Sequence, residues 1–237
     1  MKKIIFSMIA MSFLINQCAI NRKHRGNIID SMFNHVTIVN EDNSKTYINN
    51  IHGKYLVFTI PEKFQTPVVH HISYKVCYMA SYLEGESDKK WTQNINAFSD
   101  RIDDVNSISL ENKYKMQSIY FDRYCAQENK YYMNDISTLK KIGEYETTAF
   151  VQACSNVKNM DFSGSFETLI VNFQTPTGYY SLIWVERGPV AHNPFVIDKK
   201  KWQQRLRQME PFGVFDTFLP KAAGSSSPLD ETAPAQH

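Results

Sequence analysis

Beyond its N-terminus this sequence has no apolar run long enough to cross a bilayer, which takes ~20 residues. It has no surplus of charge either. With Lys2 and Lys3 set aside, 24 basic side chains face 24 acidic ones. Nucleic-acid-binding domains carry a basic surplus, so the sequence predicts no nucleic-acid partner. No Cys-x-x-Cys occurs, which argues against a zinc ribbon or a thioredoxin-like redox pair. No His-x₃-His and no acid-rich loop supports a metal. The Gly-x-Ser-x-Gly elbow of hydrolases is absent, because Gly164-Ser165 lacks its partners. No internal repeat is present. These absences leave catalytic site, metal and cofactor all without a candidate.

What the sequence does have begins at residue 2. Lys2-Lys3 is followed by the apolar run from Ile4 to Ile15, then Asn16, Gln17 and Cys18. A positive head and a short apolar run make a secretory signal peptide, so residues 1–18 are read as an export signal. Cys18 ends the run, where a bacterial lipoprotein carries its acylated cysteine, and is the lipidation candidate. Asn16 and Gln17 are bulkier than the small residues usual before such a cysteine. Ordinary cleavage and an uncleaved anchor therefore stay open. Residues 19–34 are polar and basic, and read as a tether.

The chain has 43% apolar and 13% aromatic residues, enough for a packed core rather than a disordered chain. One domain is expected over residues 35–219, and a Pro/Ala/Ser-rich disordered tail over 220–237. Cys77, Cys125 and Cys154 remain in its body. An oxidising compartment permits one disulfide and leaves one thiol. Cys125 with Cys154 is the favoured pair, and three buried free thiols the alternative.

Residues 35–39 and 45–48 read as a hairpin across the turn 41–44, and 55–60 as a strand stopped by Pro61. Residues 72–79 alternate, with Ile72, Tyr74, Val76 and Tyr78 expected on one face. The charged turn 84–88 leads to a strand from Trp91 to Phe98. Leu110 to Gln127 is predicted helical, with Met116, Ile119, Tyr120 and Tyr124 as its apolar face. Residues 128–143 are ambiguous. Strands follow at 145–154, 165–173 and 179–187, the last two joined by Thr175-Pro176-Thr177-Gly178. Leu169, Val171 and Phe173 should share a face, as should Tyr180, Leu182 and a buried Trp184. Asp198 caps a last helix whose stripe is Trp202, Leu206 and Met209. The expected class is α+β, a mainly antiparallel sheet with helices packed against it.

Four constellations invite a chemical reading. His70-His71 lie on a strand whose successive side chains point apart, so one ion is not within reach of both. Lys199-Lys200-Lys201 with Arg205 and Arg207 reads as the solvated face of an amphipathic helix. Cys154 and His192 are a cysteine–histidine pair only if folding brings them together. Asp103-Asp104 and Glu144/Glu146 are surface charges in the absence of a cleft.

Glu84-Gly85-Glu86 followed by Trp91-Thr92-Gln93-Asn94-Ile95 resembles the glycine-turn and W-T-x-x-I signal of uncharacterised exported bacterial proteins. Cys154, the 164–173 strand, Gly178-Tyr179-Tyr180 and a final helix opening near Trp202 resemble the same group, loosely across 55–215. The insert at 128–143 and the Asp/Asn-rich stretch after Phe98 depart from it. The resemblance implies a Mog1/PsbP-like layered fold. It brings Trp91 and Thr92 over as fold determinants and carries no catalytic residue. Trp184 and Trp202 join them from the strand and helix patterns. The resulting expectation is a non-enzymatic binding or accessory module, periplasmic and lipid-anchored to the outer membrane. Its partner would be an envelope protein or a toxin. The opposing expectation is a hydrolase of cell-wall or lipid material.

Overall fold

The computed structural model describes residues 35–104, 109–134, 136, 141–142, 144–157, 162–191 and 195–217. The signal peptide, Cys18, the tether, His192 and the tail at 220–237 lie outside the described residues.

Two antiparallel sheets face each other. The smaller has β1 (His35–Val39), β2 (Lys45–Ile51), β3 (Lys54–Ile60) and β12 (Gly213–Phe215), side by side in that order. The larger runs β4 (Val68–Ile72), β5 (Val76–Tyr82), β6 (Gln93–Arg101), β11 (Gly178–Gly188), β10 (Ser165–Thr175), β9 (Tyr145–Cys154) and β7 (Lys130–Met133). The short β8 (Lys141–Ile142) also pairs with β9. Two helices accompany them, α1 (Leu110–Tyr124) and α2 (Lys199–Gln208). The class is α+β and sheet-dominated.

One apolar core fills the space between the sheets. β10 supplies Leu169, Val171 and Phe173, β11 supplies Tyr180, Leu182 and Trp184, and the smaller sheet supplies Tyr47, Leu56 and Phe58. These side chains recur at every second residue because strand side chains alternate between faces. The β10–β11 hairpin aligns Leu169 with Trp184 and Thr175 with Gly178. Gly178 has φ +151°, and a Cβ there would lie 2.0 Å from the Asp100 carbonyl oxygen. Only glycine lets the hairpin tip close onto β6.

α2 closes one end of the core and touches both sheets. The Asp198 side chain caps it by accepting from the Lys201 amide. Trp202, Leu206 and Met209 are buried. The Met209 carbonyl accepts from the Thr59 amide at 2.9 Å in β3. On the other side Glu167 and Glu186, directly paired across β10 and β11, are neutralised by the helix. Lys201 Nζ lies 2.6 Å from Glu167 and Arg205 Nε 2.7 Å from Glu186. Trp202 Nε1 donates to Glu167 at 2.7 Å. Two like charges facing each other on a sheet are destabilising, so the helix is needed where it sits. This corrects the solvated-face reading of the basic cluster: Lys200 and Arg207 are exposed, but Lys201 and Arg205 are half-buried in ion pairs.

Three further expectations are corrected. Residues 72–79 do not form one strand, because Ser73 to Lys75 turn between β4 and β5. Tyr74 sits on that turn, 66% exposed, and the inward face is Cys77 and Met79 instead. A one-residue shift in register moves every side chain to the other face. On α1, Ile119 is 54% exposed while Phe121 and even Lys113 are buried, so the buried stripe is rotated from the expected one. The strand expected from Trp91 begins only at Gln93.

Candidate functional site

The outer face of the larger sheet divides in two. α1 covers one half. Gln117 and Asn172 exchange hydrogen bonds at 3.1 and 2.9 Å, and the Tyr114 and Phe121 rings meet Phe150 and Phe166 edge-on. The end of α1 is tied to β9 by a Cys125–Cys154 disulfide with a Cα separation of 5.8 Å. Val157 and Phe121 pack around it.

The other half, on β4, β5 and β6, is lined by aromatic rings and amides. Tyr78 donates to Asn96 Oδ1 at 3.2 Å, and Asn96 Nδ2 donates to Asn94 Oδ1 at 3.0 Å. The β4–β5 register shifts between Val69 and His71. That bulge makes His70 the extra residue and aims it at this face, as bulges re-aim side chains near sites. The His70 ring lies 5.3 Å from Tyr78 and 6.2 Å from Tyr82, and its Nε2 is 3.4 Å from the Tyr82 hydroxyl. Burial pushes the Tyr82 phenol up to about 12, with Asp88 adding to the shift. At the margin, the Arg187 guanidinium sits between rings, 3.3 Å from the Trp91 centroid and 4.1 Å from that of Phe162. A cation held between two rings is a stiff wall. Trp91 thus belongs to this margin, and exposed Thr92 donates to Glu86 through its amide at 2.9 Å and its hydroxyl at 2.6 Å. Trp184 and Trp202 are fully buried in the core.

Lys113 marks the boundary between the halves. Its ammonium lies 4.8 Å from the Phe98 centroid and 5.3 Å from that of Tyr179. Burial pulls its pKa down to about 8, although Asp100 opposes the shift. Burial in turn pushes the Asp100 carboxyl up, and Lys113 works against that. In the unfolded chain Lys113 takes its ordinary value of 10.5. Between about pH 8 and 10.5 the unfolded chain therefore holds a proton that the folded one has released, and folding stability rises with pH across that window. Below it the cost is complete, on the order of 3 kcal/mol from the size of the shift. Lys113→Met should flatten the rise, so that unfolding free energies of variant and parent converge from pH 7 towards pH 9.5. Equal pH dependence in parallel denaturant titrations would show the ammonium to be solvated. The gain at pH 7 should be smaller than the slope implies, because Asp100 loses its nearby cation.

The structure places the residues of those chemical constellations as follows. Cys154 is consumed by the disulfide, so it cannot serve as a nucleophile with His192. Cys77 is fully buried, and burial drives its thiol up to about 12. His70 and His71 have no third ligand: no group of three His, Cys, Asp or Glu able to hold a metal stands among the described residues. Asp103 pairs with Lys75 at 2.5 Å, and Glu144 and Glu146 are exposed. Sequence reasoning missed Lys113, Asp100 and the Asn94/Asn96 pair. The Asn-x-Asn spacing within a strand was the available sign, since it places both amides on one face. Compared with known proteins, the chain matches no family model, no curated protein and no solved structure.

Proposed function

We propose that this protein is a non-enzymatic binding or accessory module of the bacterial envelope, exported and held to the outer membrane by a lipid on Cys18. The observation that carries the binding reading is the half of the larger sheet that α1 leaves uncovered. On that half the His70 and Tyr78 rings are partly exposed over the buried, mutually bonded amides of Asn94 and Asn96, and offer a ring-lined surface for recognition. The hydroxyl beside His70 Nε2, that of Tyr82 at 3.4 Å, is a phenol that burial pushes up to about 12, so it is not poised as a nucleophile. The Cys125–Cys154 disulfide supports export, because such bonds persist in oxidising compartments. The facing sheets with a helix on the outer side are compatible with a Mog1/PsbP-like layering, which we retain as the finer description of the fold. The partner is an envelope protein or a periplasmic toxin.

Replacing Cys18 with Ser should release the protein from the membrane fraction into the soluble one. One acyl chain gives only marginal anchoring and two chains make it stable, so the intact mass should also report more than one. A variant that remains membrane-bound, in a parent of unlipidated mass, would remove the anchor from the proposal. Incubation of the purified protein with cell-wall sacculi and with phospholipid vesicles separates the binding module from the opposing hydrolase. Release of soluble fragments or fatty acids would decide for the hydrolase.

A further inference from the structure

The smaller sheet ends in an open edge. β1 is its first strand, bonded to β2 on one side, and among the described residues no strand lies beyond it. We propose that β1 pairs antiparallel with β1 of a second copy of this chain, so that the two smaller sheets join edge to edge. The geometry of this pairing does not rest on the aromatic face or on the function proposed for it.

Edge strands carry unpaired amides and carbonyls, and folded proteins blunt them with bulges, short lengths, lysine or proline. The other edges of this molecule are blunted in that way. β4 is bulged between Val69 and His71, β7 has four residues and opens on Lys130, and β12 has three. β1 has none of these devices. Its sequence His-Val-Thr-Ile-Val holds no lysine, arginine, acid or proline, and all five residues pair with β2 in one unbroken register. Val36, Ile38 and Val39 are exposed. Val36 also extends an apolar row, because it lies beside Ile48 on β2, which lies beside Val57 on β3.

The hairpin fixes which backbone groups are offered. In an antiparallel pair, residues bonded to the neighbour alternate with residues whose amide and carbonyl point away. The Asn40 amide donates to the Ser44 carbonyl at 2.9 Å. Counting back by twos, the backbone groups of Ile38 and Val36 face Thr46 and Ile48, and those of Val39, Thr37 and His35 turn outward. A two-fold axis at Thr37 then sets Thr37 against itself and His35 against Val39 of the second copy. Val36 meets Ile38 of the second copy at the closer, non-hydrogen-bonded spacing. No two like charges stand opposite each other, as they must not in a stable pair. This self-complementarity gives an interface that closes on itself, and it selects a second copy as the occupant. A lone strand pair is small for a stable complex. The lipid proposed on Cys18, upstream of β1, would hold copies in one membrane and raise their effective concentration. That contribution, unlike the pairing, rests on the proposed anchor.

Oxidative cross-linking of the full-length protein in its own membrane reads the pairing. Thr37 sits on the two-fold axis, where the Cα atoms of a bonded pair are ~5.5 Å apart, within the span of a disulfide. Thr37→Cys should give a species of twice the chain's mass on a non-reducing gel. The parent should not, because Cys77 is buried and Cys125 is bonded to Cys154. Neither should Lys200→Cys, at an exposed site on α2. Val36→Cys co-produced with Ile38→Cys should cross-link at least threefold better than either variant alone. Thr37→Pro removes an amide that points away from β2, so it leaves the β1–β2 ladder intact. It should cut that mixed cross-link at least tenfold while the unfolding midpoint holds. Ile38→Lys adds the charge with which edge strands are protected, and should do the same to the Thr37→Cys dimer. No dimer from Thr37→Cys, a mixed cross-link that survives Thr37→Pro, or a Thr37→Cys adduct whose mass shows a different protein in place of the second copy would each overturn the assignment.

Discussion

Trp184→Ala is expected to lower the unfolding free energy by ~3–5 kcal/mol, the range for truncating a large buried aromatic side chain. Trp184 is fully buried, at 0% exposure. On β11 it lies opposite Leu169 of β10 and Ile95 of β6, both of them core residues. Phe64 meets it edge-on with ring centroids 5.2 Å apart. The Arg205 guanidinium and the Lys63 ammonium lie 4.9 and 5.8 Å from its centroid. Removing the indole therefore leaves a cavity and also takes away the ring over which Arg205 is held while it reaches Glu186. The remaining atoms can collapse only partly, since strands on both sides fix their positions. Chemical denaturation should show the midpoint falling with the slope unchanged. A change below about 1 kcal/mol would place the indole at the surface, against the two cross-strand registers that bury it.

The second large effect is expected from the disulfide. Replacing Cys125 and Cys154 together by Ala should cost about 3–4 kcal/mol, from the entropy of closing their loop in the unfolded chain. The two residues are 29 apart in sequence. The bridge joins the end of α1 to β9, and the small cluster of Phe121, Val157 and the two sulfurs surrounds it. Loss should be felt first at the end of α1, as reduced hydrogen-exchange protection near Tyr124. Cys77 gives an internal reporter. Buried, with its thiol held protonated up to about pH 12, it should react with a thiol reagent only as the chain unfolds, and sooner in the double variant. If that variant unfolds at the parent's midpoint, the helix end is held by packing alone and the loop is not the source of stability.

Where sequence pattern and structure diverge, the cause is two-faced polarity in β5 and α1 and short length in β12. Alternation was readable on β10 and β11 because their inner face is uniformly apolar and the outer one mixed. On β5 both faces are half-apolar, with Tyr78 and Tyr82 outside and Cys77 and Met79 inside. Periodicity alone then cannot choose a side, and the turn at Ser73–Lys75 passed for strand. On α1 the same limit applies. A helix lying on a sheet face that carries Asn172, Asp100 and Tyr179 can bury Lys113 and half-bury Gln117, so the search for an apolar stripe rotates it. β12 is three residues long and follows α2 closely, too short for any period to register.

What the sequence by itself determined is local. The β10–β11 hairpin, the Asp198 cap and the Trp202/Leu206/Met209 stripe all follow from neighbours within a few residues, where steric and hydrogen-bonding preferences act directly. The favoured cysteine pair was also readable, because the end of a helix and the end of the next strand can meet. The tertiary structure alone decided which distant groups share a place. It set Glu167 against Glu186 and brought α2 over both. It enclosed Lys113 between two rings and left one half of a sheet face clear of α1. These depend on strand order and on contacts between residues far apart in the chain, and the free energy of burying a charge or pairing it is set by that three-dimensional neighbourhood rather than by the residues on either side.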